Sequence, residues 1–192
     1  IWPILDWDSV QNWSSGAKYF FYSRGLALEG PQEHFFGRGY RTFLDYPLNN
    51  SLMQVWSSLC LGTFDESFVK LYNACFFTAV IGLVFSAIRR EGSLLAATLA
   101  AFFLSTVPLL TYHAREAYAD LPLSYYALCS AIWLRKYITL AAQRTEGRGP
   151  LFLRGAFVAL GSWTKGEGVL FTAAFSASLF FYHFEKRRLL AR

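Results

Sequence analysis

The sequence predicts an all-α membrane protein: about five transmembrane helices preceded by two amphipathic surface helices. Two observations carry that expectation, the composition and the way charge is segregated along the chain. Of the 192 residues, 54% are hydrophobic, 19% aromatic and only 16% charged, against roughly 45–50% apolar and about 25% charged in an ordinary soluble domain. The mean hydropathy is +0.28. The apolar residues also run in blocks, and a helix needs about 17–25 of them to cross a hydrocarbon layer roughly 30 Å thick while satisfying its own backbone hydrogen bonds. A collagen, a disulfide scaffold, a disordered tail and a β-barrel are excluded by the same composition and blocks.

In chain order, residues 1–67 form an external segment. Val10, Trp13, Ala17, Phe20 and Phe21 recur at helical spacing, and so do Leu48, Leu52, Val55, Trp56 and Leu59. Both stretches predict amphipathic helices along the membrane surface, with Trp and Tyr suited to the headgroup level. The plainer alternative is packing against another part of the protein. Between them, Gly25 to Tyr46 is a loop rich in glycine, charge and aromatics. Residues 68–192 then form the helical bundle. Spans are expected at about 68–88, where Lys70 is the one charge, 94–112 with none, 117–134 with Asp120 alone, 151–163, and 168–184 with none. The fourth is short, and Arg154 near its start is expected to snorkel to the interface. Cys60, Cys75 and Cys129 lack CxxC or Cys/His spacing and read as packing residues.

Charge orients the bundle. Arg89 and Arg90 follow the first span; Arg135, Lys136, Arg144, Arg148 and Arg154 lie around the third connection; Lys186, Arg187, Arg188 and Arg192 follow the last span. The positive-inside rule places these on the cytoplasmic side, which accounts for the net charge of +5 without a nucleic-acid partner. Most acidic residues then face outward. The chain opens on Ile1, its single methionine is Met53, and no charged n-region or small-residue cleavage site precedes the first helix. It therefore reads as an internal piece of a longer protein whose first span lies upstream.

The outer connections hold the candidate chemistry. Asp8, with Gln11 three residues on, fits an N-cap of the first surface helix, and Asp6 stands two residues earlier. Asp45 heads the second surface helix, where a carboxylate suits the helix N-terminus electrostatically. Thr63 with Glu66 matches a capping box before the first span, which leaves Asp65 and Glu66 without a chemical role. His113, Arg115, Glu116, Tyr118 and Asp120 crowd the connection between the second and third spans. Asp120 can cap the helix that Pro122 opens, but one cap does not require such a cluster. Ionisable groups at a membrane boundary normally face a cavity or each other. Lys165 and Glu167, between Trp163 and Gly168, are either a surface turn with its own ion pair or part of the same site. Three outer connections thus bring carboxylates and cations to one membrane face.

These segments resemble the N-terminal half of the GT-C membrane glycosyltransferases, in the branch of protein O-mannosyltransferases and the lipid A aminoarabinose transferase. The resemblance rests on an Asp opening the first external loop (in LDWDSVQNWSSGAKYFFYSRG), Tyr46-Pro47-Leu48, Ala119-Asp120-Leu121-Pro122 and Thr164-Lys165-Gly166. It covers nearly the whole chain, and its strength lies in the order and spacing of short motifs. It implies a sugar moved from a polyprenyl-phosphate donor to a hydroxyl of a protein or lipid acceptor, with inversion, on the outer face of what looks like a bacterial plasma membrane. Many members carry Asp-Glu in the first loop, whereas this chain has Asp6-Trp7-Asp8, so the catalytic base is Asp8 or Asp6. Asp8 is favoured because Trp-Asp followed by Trp13 looks like the bacterial branch. Lys165 and Arg115 become candidates for the donor phosphate, with Asp45, His113, Glu116, Tyr118, Asp120 and Glu167 around them. A divalent metal is left open. The residue types suit that chemistry: an anionic leaving group needs cations, and an acceptor hydroxyl needs a carboxylate to take its proton. The competing readings are a multi-span transporter, whose ionisable residues would line a path near the bilayer midplane, and a non-catalytic membrane scaffold.

Overall fold

The computed structural model describes residues 3–26, 46–143 and 148–190, and among these the chain is all-helical with no strand. A π-helical segment, Ser9–Ser14, leads into α1 (Ser15–Ser23). There follow α2 (Asn49–Leu61), α3 (Leu71–Arg89), α4 (Leu94–Ser105), α5 (Pro108–His113), α6 (Asp120–Ala142), α7 (Arg148–Ser162) and α8 (Gly168–Leu190). By length and composition α3 is the one described helix long and apolar enough to cross a membrane; α4 and the Gly168–Phe184 part of α8 are shorter apolar helices. Asp45 and Arg144 lie outside the described residues.

The first surface helix buries the face that its spacing marks out: Trp13, Ala17 and Phe20 are buried, and Val10 and Phe21 pack against the core. Its first turns are wider than an α-helix because the Val10 carbonyl is met by both the Ser15 N–H and the Ser15 hydroxyl, five residues on. The core itself is small and sits at one end of the molecule. Ile4, Ala17, Phe64, Val69 and Ala117 form it, with Val55 of α2 against them.

Several expectations are corrected. Residues 94–112 do not form one helix: Pro108 lacks an N–H and holds Val107 extended (φ −65°, ψ 115°), so α4 stops at Ser105 and α5 restarts at Pro108. No ionisable residue lies at that break. Arg154 does not snorkel. It is buried on α7, donating to the Phe175 carbonyl of α8 and lying 5.5 Å from the Phe175 ring, so protein acceptors take the place of interfacial water. Thr63 and Glu66 form no capping box; the Asp65 carboxylate accepts from the N–H groups of Ser67 (2.8 Å) and Phe68 (3.0 Å), and Glu66 reaches Lys18 at 3.3 Å. Of the cysteines, all free, Cys129 is buried as a packing residue should be, but Cys60 and Cys75 are exposed.

Contacts between helices sort the connections into two ends. Arg135 of α6 pairs with Glu91 in the α3–α4 turn, and the Tyr137 hydroxyl lies 3.2 Å from His183 Nε2 of α8, so these groups share one end. The α5–α6 and α7–α8 connections meet α2 at the other. In the α7–α8 turn, Lys165, Gly166 and Glu167 carbonyls accept from Gly168, Val169 and Leu170 in succession. A Cβ on Gly168 would collide with the Gly161 carbonyl, whereas a Cβ on Gly161 would meet Leu123 and Tyr126 of α6 at an ordinary 3.7 Å. Gly168→Ala is therefore expected to open the α7–α8 turn and destabilise the fold by about 1–3 kcal/mol, the usual cost of overpacking a closed site. Thermal unfolding in detergent reads this, and an unchanged transition would show that the turn is looser than described.

Candidate functional site at the acidic end

The site is assembled by side chains from the head of α2. Asn49, Asn50 and Ser51 are consecutive, all buried, and each grips a different part of the chain. Asn49 donates from Nδ2 to Thr164 Oγ1 (2.7 Å) and from its backbone to the Trp163 carbonyl (3.2 Å), fixing the α7–α8 connection. Asn50 donates to the Ala117 carbonyl (3.0 Å) while its Oδ1 accepts from Tyr72 (2.8 Å). Ser51 donates to the Trp13 carbonyl (2.9 Å), tying down the π-helical segment. Asn73, the one amide on α3, donates to the carbonyls of Glu116 and Tyr118, the latter at 3.0 Å. Unpaired buried carbonyls would cost about 1–3 kcal/mol each, so the amides at once satisfy irregular backbone and set its position.

On that frame the Thr-Lys motif and the Ala-Asp-Leu-Pro motif meet. Lys165 Nζ donates to Asp120 Oδ1 at 2.9 Å and lies 3.5 Å from Glu167 Oε1. Burial lowers the proton affinity of Lys165, but the bond to Asp120 and the charges of Asp120, Glu167 and Asp8 outweigh it, so the ammonium is held above its ordinary value. On the far side of Asp120, His113 Nδ1 stands 3.9 Å from Oδ2, its ring stacked on Tyr118 with centroids 4.7 Å apart. Asp120 is the first residue of α6, and its side chain makes no cap; Ala119 precedes it as the boundary residue.

Asp8 is not a cap either. Its backbone is already helical (φ −64°, ψ −42°), its side chain accepts from Asn12 Nδ2, and no cap bond forms. The charge of Asp8 acts on Lys165, whereas that of Asp6 acts on Glu116. Both also act on Tyr118.

Glu116 and Lys70 form a second, deeper pair at 3.6 Å, both nearly enclosed, with Lys70 Nζ also donating to the Pro3 carbonyl at 3.2 Å. Burial pushes the Glu116 carboxyl above the usual range, Lys70 pulls it back, and Asp6 pushes it up again, for a net rise. Lys70 went unassigned in the sequence because a lone cation in an apolar block reads as a span boundary. The same holds for Asn73, the only amide in α3. Each was visible as the odd polar residue in an apolar run, which is the signal that could have found it. Arg115 is exposed and makes no ion pair with the described residues, and Asp45 lies outside them. No group of three or more His, Cys, Asp or Glu able to hold a metal ion is present among the described residues.

The raised Glu116 carboxyl has a signed consequence. The folded state holds this proton more tightly than the unfolded chain, so stability is full below the ordinary glutamate value and falls as pH rises through the raised one. Denaturant midpoints should therefore decline over that window, and Glu116→Gln, which cannot titrate, should flatten the decline. A slope that persists in Glu116→Gln would assign it to another group.

No family model, curated protein or solved structure matches the chain.

Proposed function

We propose that the chain belongs to an integral membrane glycosyltransferase of the GT-C kind, crossing a bacterial plasma membrane about five times, with the acidic end outward. It would move a sugar from a polyprenyl phosphate to an acceptor hydroxyl of a protein or lipid with inversion. The observation that carries this reading is the position of Lys165: a part-buried ammonium flanked by Asp120 and Glu167, under the charge of Asp8, at the end of the helices away from the Arg135–Glu91 pair. A donor phosphate would take the ammonium from the exposed Glu167, leaving Asp120 to keep it oriented. The acceptor oxygen attacks the anomeric carbon from the face opposite the phosphate, the bond from that carbon to the phosphate oxygen breaks, and its electron pair leaves with the phosphate. A carboxylate takes the hydroxyl proton. Asp8 suits that role better than Asp6 because its charge reaches Lys165, where the leaving group would sit.

The membrane part of the reading is supported by burial that runs against hydropathy. Asn, Gln, Ser, Lys, Glu and Arg side chains share the interior with the apolar core, while Phe102, Phe103, Phe180 and Phe181 are exposed. In water such a surface would be an aggregation liability; against lipid it is the expected solvent face. A transporter would place ionisable groups at breaks near the midplane, and the α4–α5 break has none.

The test uses Asp8→Asn in the protein's full reading frame, assayed for sugar transfer from a polyprenyl-phosphate donor. Asn keeps the size and an acceptor oxygen for Asn12 while removing the proton acceptor. Transfer is expected to fall by roughly two to four orders of magnitude with donor binding intact. Asp6→Asn is the paired control, expected to act less. Full activity in the double variant would remove the general base from the account.

A further inference from the structure

Helix α2 is built inside out. Its sequence, NNSLMQVWSSLCL, contains no charged residue, and the side it buries is the polar one: Asn49, Asn50, Ser51, Gln54 and Ser58. Its exposed side is Trp56 (69% exposed), Leu59 (65%), Cys60 and Leu61. A helix lying at the headgroup level turns its apolar face to lipid and its polar face to water. Here the polar face is already occupied by protein, so no side of α2 is left that favours water. The hydroxyl of Ser57, near the outer face, bonds back to the Met53 carbonyl at 2.9 Å, and Thr78 of α3 does the same to Ala74 at 2.9 Å, so neither needs a water partner. Each helix end has a backbone partner as well. The Asn49 N–H bonds to Trp163, and the Gly62 N–H, from a left-handed residue (φ 80°), caps the Ser58 carbonyl at 2.9 Å.

One side of the outer face also continues into α3 along a mostly apolar lining. Trp56 and Cys60 of α2, Phe68 of the connection, and Leu71, Cys75 and Phe76 of α3 line one lateral groove of about 510 Å³, overwhelmingly apolar and open along its side. That groove joins α2 to the helix long and apolar enough to cross a membrane, at the level of the first turns of α3.

We propose that the outer face of α2 and the groove it forms with α3 are an interaction surface for the acyl chains of bilayer lipids, so that α2 is embedded at hydrocarbon depth and not laid at the headgroup level. The inference rests on the membrane reading above. It places the head of α2, and with it the frame of the acidic site, directly beneath the membrane surface. It also gives the buried Asn-Asn-Ser head a reason: polar groups facing inward are the only kind a lipid-embedded helix can carry cheaply.

The experiment puts a nitroxide on the native Cys60 in the Cys75→Ser, Cys129→Ala chain reconstituted in lipid bilayers, and compares collision with oxygen, which partitions into hydrocarbon, and with a water-soluble nickel chelate. Leu59→Cys in a Cys60→Ser version is the second position on the face. Gly82→Cys on α3, where a Cβ meets nothing within 4 Å, is the hydrocarbon reference, and Arg90→Cys is the aqueous one. Labels at 59 and 60 are expected to give an oxygen-to-nickel ratio like that at 82 and well above that at 90. Ratios at 59 and 60 that match 90, with 82 still in hydrocarbon, would overturn the embedding of α2 and leave the membrane reading standing. An aqueous ratio at 82 as well would overturn both.

Discussion

The head of α2 is the constraint from which the rest follows. Three consecutive buried side chains, Asn49, Asn50 and Ser51, hydrogen-bond to three different stretches of backbone or loop, and Asn73 of α3 holds two more carbonyls. Two of those stretches, the 114–119 connection and the turn after α7, are irregular, and the third is the π-helical segment. Each bond contributes only about 0.5–1.5 kcal/mol net, but leaving the acceptors unpaired in an enclosed site would cost more, and that asymmetry fixes the geometry. With the connections pinned, Lys165 has one place to go, against Asp120, and Glu116 meets Lys70 beneath them.

The pinning also explains the chemistry of the end it builds. Carboxylates outnumber cations there, and burial makes each charge dependent on its partner. Lys165 stays protonated because its carboxylate neighbours outweigh its desolvation, while Glu116 is pushed toward its neutral form because Lys70 only partly offsets enclosure.

Much of this was legible in the sequence, for reasons that differ between elements. The apolar face of α1 could be read because Trp13, Ala17 and Phe20 follow the helical period and bury as a unit. Charge alternation put Asp120 and Lys165 at the same end of their helices, but their pairing is seen only in the structure. In α2 the apolar residues also follow the helical period, and there Trp56 and Leu59 point away from protein while the asparagines point in. Periodicity reports that a helix has two faces; which one is buried depends on the surrounding solvent. Local cap signatures failed for a related reason. Asp8 and Glu66 had the spacing of caps, but Asn12 and Lys18 offered partners that spacing cannot foresee. The break at Pro108 was readable from proline alone and was hidden by the apolar run around it.

The account stands most directly on one long-range bond, Asn49 to Thr164, between residues 115 apart in sequence. A double-mutant cycle of Asn49→Ala and Thr164→Val, read by unfolding in detergent, isolates it. If the head of α2 positions the site as described, the two changes should be non-additive, with a coupling of about 0.5–3 kcal/mol. Additive effects would mean that α2 and the Thr-Lys turn do not hold each other, and the acidic end would lose the frame on which its function is argued.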